Sequence, residues 1–126
     1  EGATRTFEVG VSGTPSDVAA RAAAKAVVRS PLVKTAVHGS DANWGRIVGA
    51  LGAEGVGALD EVSITIGGHP VVTFGAPVDF DEATLHDVMS RDHVVIDIAL
   101  PGDGVGRAWG CDLGPNYISI NADYRS

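Results

Sequence analysis

Only one cysteine stands in the 126 residues, Cys111, so an intrachain disulfide is excluded. A reducing compartment, by default the cytoplasm, is the expectation. Cationic side chains are also scarce: nine Lys and Arg face sixteen Asp and Glu, for a formal net charge of −7. Without a basic run long enough to follow a phosphate backbone, nucleic acid is a poor partner. Long hydrophobic runs are missing as well. No stretch approaches the roughly 20 apolar residues that a membrane span requires, and the opening EGATRTFEVG lacks the layout of a signal peptide. The reading is a soluble chain with no membrane partner. Aromatic residues make up only 6%, whereas glycine is abundant at 17 residues, a composition that favours close backbone approach and many turns.

What remains is enough for one core. The apolar fraction is 44%, and a chain of this size forms about one domain that hides roughly two-thirds of its unfolded surface. The whole of 1–126 is therefore read as a single α+β domain. The chain starts at Glu1 and enters a strand pattern within ten residues, which suggests part of a longer polypeptide.

From Thr4 to Ser12, Phe7, Val9 and Val11 alternate with polar or small residues, the period of a strand with one buried face. Thr14-Pro15-Ser16-Asp17 then reads as a helix start, with threonine as cap and proline in the first helical position. Its inner face is expected to carry Ala19, Ala22, Ala23, Ala26 and Val27, small side chains that let a helix lie close to a sheet. Pro31 should end it. Trp44, Ile47, Val48 and Leu51 follow at helical spacing, predicting a second helix from Asn43 to Leu51, closed by Gly52. Gly45 and Gly49 within it suggest a face that other backbone approaches closely.

Val62, Ile64 and Ile66 alternate before Gly67-Gly68 and then Val71-Val72, a hairpin pattern. Asp79 to Glu82 repeats the capping signature and opens a helix to Ser90 with Leu85, Val88 and Met89 inward. Val94 to Leu100, Arg107 to Asp112 and Tyr117 to Asn121 read as further strands. The order β-α-α-β-β-α-β-β-β is neither a βαβ alternation nor all-β, so a mixed or antiparallel sheet with helices packed against it is expected.

Candidate chemistry is sparse on pattern alone. PGDGVGR lacks both the Walker lysine and the dinucleotide spacing, and a plain hairpin turn is the reading. His38, His69, His86 and His93 include no pair at helical ligand spacing, so surface or capping roles are expected. Cys111 reads as a buried structural thiol, without an evident activating base. In the segment SPLVKTAVHGSDANWGR, Asp41 and Asn43 suit caps, Trp44 a core or interface anchor and Arg46 a helix-surface cation.

That segment, together with the opening EGAT, WGCDL at 109–113 and the terminal YISINADYRS, resembles the C-terminal part of the ornithine acetyltransferase (glutamate N-acetyltransferase) family, in the same order and over the whole chain. Ala42 departs from the family's D-P-N-W-G-R, and Ser126 stands where many members end in threonine. The resemblance implies an N-terminal-nucleophile enzyme. A threonine exposed by self-cleavage takes the acetyl group from N-acetylornithine and passes it to glutamate, and some relatives accept acetyl-CoA as donor. Neither a metal nor a cofactor enters that scheme.

The resemblance also implies that the nucleophile lies upstream of Glu1, so no catalytic residue is assigned to this chain and it should not turn over substrate alone. Its partners would be the α chain and the upstream part of the β chain, assembled as an α2β2 heterotetramer. Three substrate contacts carry over: Glu1, whose carboxylate suits the ammonium of ornithine; Asn121, whose amide both donates and accepts; and the hydroxyl of Ser126. Read from the residues alone, Glu1 is equally a frayed end, Asn121 a strand-end cap and Ser126 a loose tail. A stand-alone domain that binds a small amino acid or mediates assembly is the alternative.

Overall fold

The structure, a computed structural model, describes residues 5–112. Glu1, Asn121, Ser126 and the expected strand Tyr117 to Asn121 lie outside the described residues. The elements run β1 (Thr6–Thr14), α1 (Asp17–Arg29), α2 (Pro31–His38), α3 (Trp44–Ala53), a 3-10 turn (Leu59–Glu61), β2 (Ser63–Ile66), β3 (His69–Thr73), β4 (Ala76–Pro77), α4 (Glu82–Met89), β5 (His93–Gly102) and β6 (Val105–Cys111). They form one six-stranded mixed sheet in the order β4-β3-β2-β5-β1-β6, in which β1 and β5 are the parallel pair. The α+β class expected from the element order is what the chain adopts.

Strand alternation decides the core. Phe7, Val9 and Val11 of β1, Val94, Ile96 and Ile98 of β5, Ile64 and Ile66 of β2 and Ala108 of β6 share one face by register and are all buried. Helix α1 lies across β1 and β6 on that face. Its buried residues are Ala20, Ala23, Ala24, Val27 and Val28, a stripe rotated from the expected one but built of the same small side chains. The sheet answers in kind: a Cβ added to Gly106 would sit 2.4 Å from the Arg21 backbone nitrogen, and one at Gly110 would sit 2.5 Å from Val28 Cγ1. Helix α4 turns Leu85, Val88 and Met89 inward as expected, and Asp81 caps it. The Asp81 carboxyl is held below its usual range chiefly by the Thr84 hydroxyl.

Several expectations are corrected. Helix α1 is capped by Ser16, whose hydroxyl accepts from the Ala19 N–H; Thr14 instead lies in the left-handed region at φ 70° and ends β1. Helix α1 ends at Arg29, before Pro31 as expected, but Pro31 also begins α2, a helix the sequence reading did not include, which Ser30 caps through the Val33 N–H. Helix α3 runs past Gly52 to Ala53, with Asn43 as its cap. Neither Gly45 nor Gly49 is approached by neighbouring backbone: Gly49 has open space, and Gly45 meets only the Asn43 side chain.

The Gly67-Gly68 hairpin is confirmed, both residues having positive φ as a type I′ turn requires. PGDGVGR, however, is not a hairpin. β5 and β6 flank β1 on opposite sides, and the loop between them crosses the end of β1, where the Gly13 N–H reaches the Gly104 carbonyl and the Gly104 N–H reaches the Thr14 carbonyl. Cys111 is exposed on β6 opposite Thr6, not buried, because its position in the alternation falls on the open face.

Candidate functional site

Among the described residues, parts of two of the motif segments named above, at His38–Ser40 and at Asp112, meet Arg5 where β1 begins and β6 ends. Helix α2 stops in a Schellman arrangement: the Asp41 N–H bonds the Ala36 carbonyl and the Ser40 N–H bonds the Val37 carbonyl. The left-handed position in that motif is usually glycine, yet here it is Ser40, at φ 54°. Its hydroxyl explains the choice, since it accepts from Arg5 Nη1 at 2.9 Å and from Ser90 Oγ at 3.0 Å.

Arg5, the residue after EGAT, is the centre of this cluster. Its guanidinium donates to the carbonyls of His38 and Met89, the last residues of α2 and α4. A fixed cation at two helix C-termini satisfies carbonyls that the helices leave free and opposes their negative dipole ends. The Arg5 backbone N–H donates to Asp112 Oδ1 at 3.0 Å, and the Asp112 N–H returns a bond to the Arg5 carbonyl at 3.0 Å. The second carboxylate oxygen of Asp112 lies 2.9 Å from His38 Nδ1. Asp112 has no exposed side-chain surface, whereas the His38 ring is about one-third exposed. The buried carboxylate therefore orients the ring and favours the proton on Nδ1.

The remaining histidines divide by face. His93 bridges Thr6 Oγ1 and Glu8 Oε1, each at 2.7 Å, on the open side of the sheet. Arg107 Nη1 joins Glu8 at 2.6 Å, and Nη2 crosses over Gly10 to Asp97 at 2.9 Å. The Glu8 carboxyl is held below its usual range chiefly by the hydrogen bond from His93, with Arg107 adding to the effect. His69 lies in β3 and His86 in the last turn of α4. Among the described residues, no group of three or more His, Cys, Asp and Glu side chains is placed to hold a metal ion.

Asn43 and Arg46 have structural roles. Asn43 caps α3, Asp41 accepts from its amide, and Arg46 ties α3 to α2 through the Leu32 carbonyl and the Thr35 hydroxyl. Trp44 is half-buried and packs against the core. An apolar cleft of about 500 Å³ lined by Thr14, Pro15, Ala22, Glu54, Val56 and Leu100 lies at the opposite end of β1, roughly 30 Å of strand away from Arg5. It shares no residue with the motif cluster. The sequence reading missed Arg5, Ser40 and Asp112 as one group.

Glu1 precedes this cluster by four residues, and Asn121 and Ser126 follow Asp112 in the chain; all three lie outside the described residues. Among the described residues no helix is long and apolar enough to cross a membrane.

Comparison with known proteins agrees with the motif pattern. The chain is 48% identical to the arginine biosynthesis bifunctional protein ArgJ of Streptococcus mutans and 44% identical to that of Bacillus subtilis, in each case over its full length and 32% of the relative's. The chain thus spans about one-third of the curated relatives it matches. The crystal structure of the Bacillus halodurans ArgJ protein superimposes with a TM-score of 0.94 at 42% identity, covering 98% of this chain and 60% of that one. With residues 1–126 also matching the family profile described as ArgJ family, the chain belongs to the ArgJ family.

Proposed function

We propose that this chain forms one wall of the substrate pocket of an ornithine acetyltransferase. The complete enzyme would move the acetyl group of N-acetylornithine to glutamate by way of an acetylated threonine that lies upstream of Glu1. The threonine hydroxyl attacks the acetyl amide carbon, the C–N bond breaks, and ornithine leaves with the proton. The α-amine of glutamate then attacks the ester, and the threonine hydroxyl is restored. One amide is exchanged for another, so the overall step needs no energy donor.

The observation that carries the reading is the junction of Arg5 with Asp112. It brings together the described residues that stand nearest in sequence to Glu1 on one side and to Asn121 and Ser126 on the other. That supports a reading in which both ends of the chain contribute to one small-ligand site. In this reading Glu1 takes the side-chain ammonium of ornithine, Asn121 orients the backbone polar groups, and Ser126 supplies a hydroxyl at the pocket edge. The α chain and the upstream β segment supply the nucleophile and the groups that stabilise the oxyanion, within an α2β2 assembly in the cytoplasm.

The test is made in the complete enzyme. Glu1→Gln should raise the KM for N-acetylornithine by about tenfold or more, the loss expected for one charge-assisted hydrogen bond. Asn121→Ala should weaken both substrates. Unchanged KM and kcat in both folded variants would remove the site assignment.

A further inference from the structure

On the open face of the sheet, one row of side chains runs across the strands. Register places Val105 of β6 beside Ser12 of β1, Ser12 beside Ala99 of β5, and Ala99 beside Ser63 of β2, whose hydroxyl accepts from the Phe74 N–H. The three central residues are small, whereas Val105 and Phe74 at the ends are 65% and 77% exposed. The row is therefore the floor of a groove. It comprises two adjoining clefts of about 260 and about 340 Å³ that share Ser63 and Ala99; Asp97 and Arg107 line the first, Leu100 and Pro101 the second.

Phe74 is costly where it stands. Thr73 pairs with Ala76, so Phe74 and Gly75 form a two-residue loop, at φ 44° and 76°. Such a loop favours asparagine before glycine, because a bulky side chain is strained at positive φ. The ring also meets water instead of core. A residue unfavourable both in its backbone and in its exposed apolar surface fits a contact made outside this domain. Polypeptide to make it exists in the family: this chain corresponds to 32% of the Streptococcus mutans relative and to 60% of the Bacillus halodurans chain.

We propose that the groove seats a segment of the complete ArgJ-family protein from outside residues 1–126. The segment inserts a large apolar side chain between Val105 and Phe74, above Ala99, and turns polar groups toward Asp97 and Arg107. The inference rests on the proposed function only in taking this chain as one part of a larger enzyme.

The experiment is hydroxyl-radical footprinting of the complete enzyme, read by mass spectrometry. Phe74 should be oxidised as slowly as Phe7, which is wholly buried; oxidation at the rate of the denatured enzyme overturns the proposal. Phe74→p-benzoylphenylalanine then identifies the occupant. On irradiation it should cross-link to a peptide from outside residues 1–126, whereas cross-links only to peptides within 1–126, as a second copy would give, overturn the assignment. Phe74→Asn separates an anchor from a turn residue by sign. Asparagine tolerates left-handed backbone, so a turn residue would gain stability, while the groove requires the melting temperature of the complete enzyme to fall by about 2 °C or more. An unchanged or higher value overturns it. A freely oxidised Phe74 together with a raised KM in Glu1→Gln removes the groove and leaves the proposed function standing.

Discussion

The two faces of the sheet are built on different principles. On the covered face, Phe7, Val9, Ile64, Ile96 and Ile98 are buried, and specificity comes from volume: the α1 backbone at Ala20 and Arg21 fits against Gly106 of β6, and Val28 against Gly110. On the open face the same strands present Ser12, Asp97, Ala99, Val105, Arg107 and Trp109, all exposed, and specificity comes from charge. There Gly10 is again the key residue, but for another reason. It lies between Asp97 and Arg107 in the register, and its missing side chain clears the path along which the guanidinium crosses to the carboxylate. Glycine makes room for a backbone on one face and for an ion pair on the other.

The contrast sets the expected scale of each perturbation. Phe7→Ala on the covered face should cost the most, about 4 kcal/mol, through a cavity beneath α1 that cannot collapse; equilibrium urea unfolding measures it. The two glycines provide the sharpest test. Gly106→Ala forces a Cβ against the backbone of α1, which cannot yield, and should cost about 3 kcal/mol. Gly10→Ala meets the tip of Arg107, which can swing away, so the loss should be about 1 kcal/mol and should shrink further in high salt. Equal costs at both glycines would break the comparison.

Smaller again is the acid sensitivity of the open face. The folded-state pKa of Glu8 is depressed, so its contribution is present above the ordinary carboxylate pKa of 4.5 and is lost as pH falls through the folded value. Glu8→Gln should lower stability at neutral pH and flatten the pH dependence of the melting temperature below about pH 4.5; an unchanged acid limb would sink the assignment. Smallest of all, Asp87→Ala removes a 3.8 Å pair with Arg91 between two exposed side chains and should shift stability by less than about 0.5 kcal/mol.

Much of this was legible in the chain because it is local. The alternation at Phe7, Val9 and Val11 named the buried face of β1, and Gly67-Gly68 named the β2–β3 hairpin, since side-chain period and positive φ need only neighbouring residues. The capping pattern at Asp79 to Glu82 located α4 to within a few residues. Failures came where two local signals competed. Ser30-Pro31 ends one helix and starts the next, and the proline stop signal concealed the eight-residue helix that follows it. Thr14 and Ser16 both suit a cap by residue type, but Ser16 has the extended backbone of a cap whereas Thr14, bonded to the crossing loop at Gly104, lies in the left-handed region. Of the site, the sequence motifs pointed to Glu1, Asn121 and Ser126 but not to the Arg5 cluster behind them.

The chain by itself therefore settled the class of fold and the strand faces, which follow from short-range pattern, while the family followed from the resemblance of its motifs. The tertiary structure decided the strand order, the loop that crosses β1, the exposure of Cys111 and the meeting of Arg5 with Asp112, 107 residues apart in sequence. Such pairings depend on which strands become neighbours, and no periodicity along the chain encodes that.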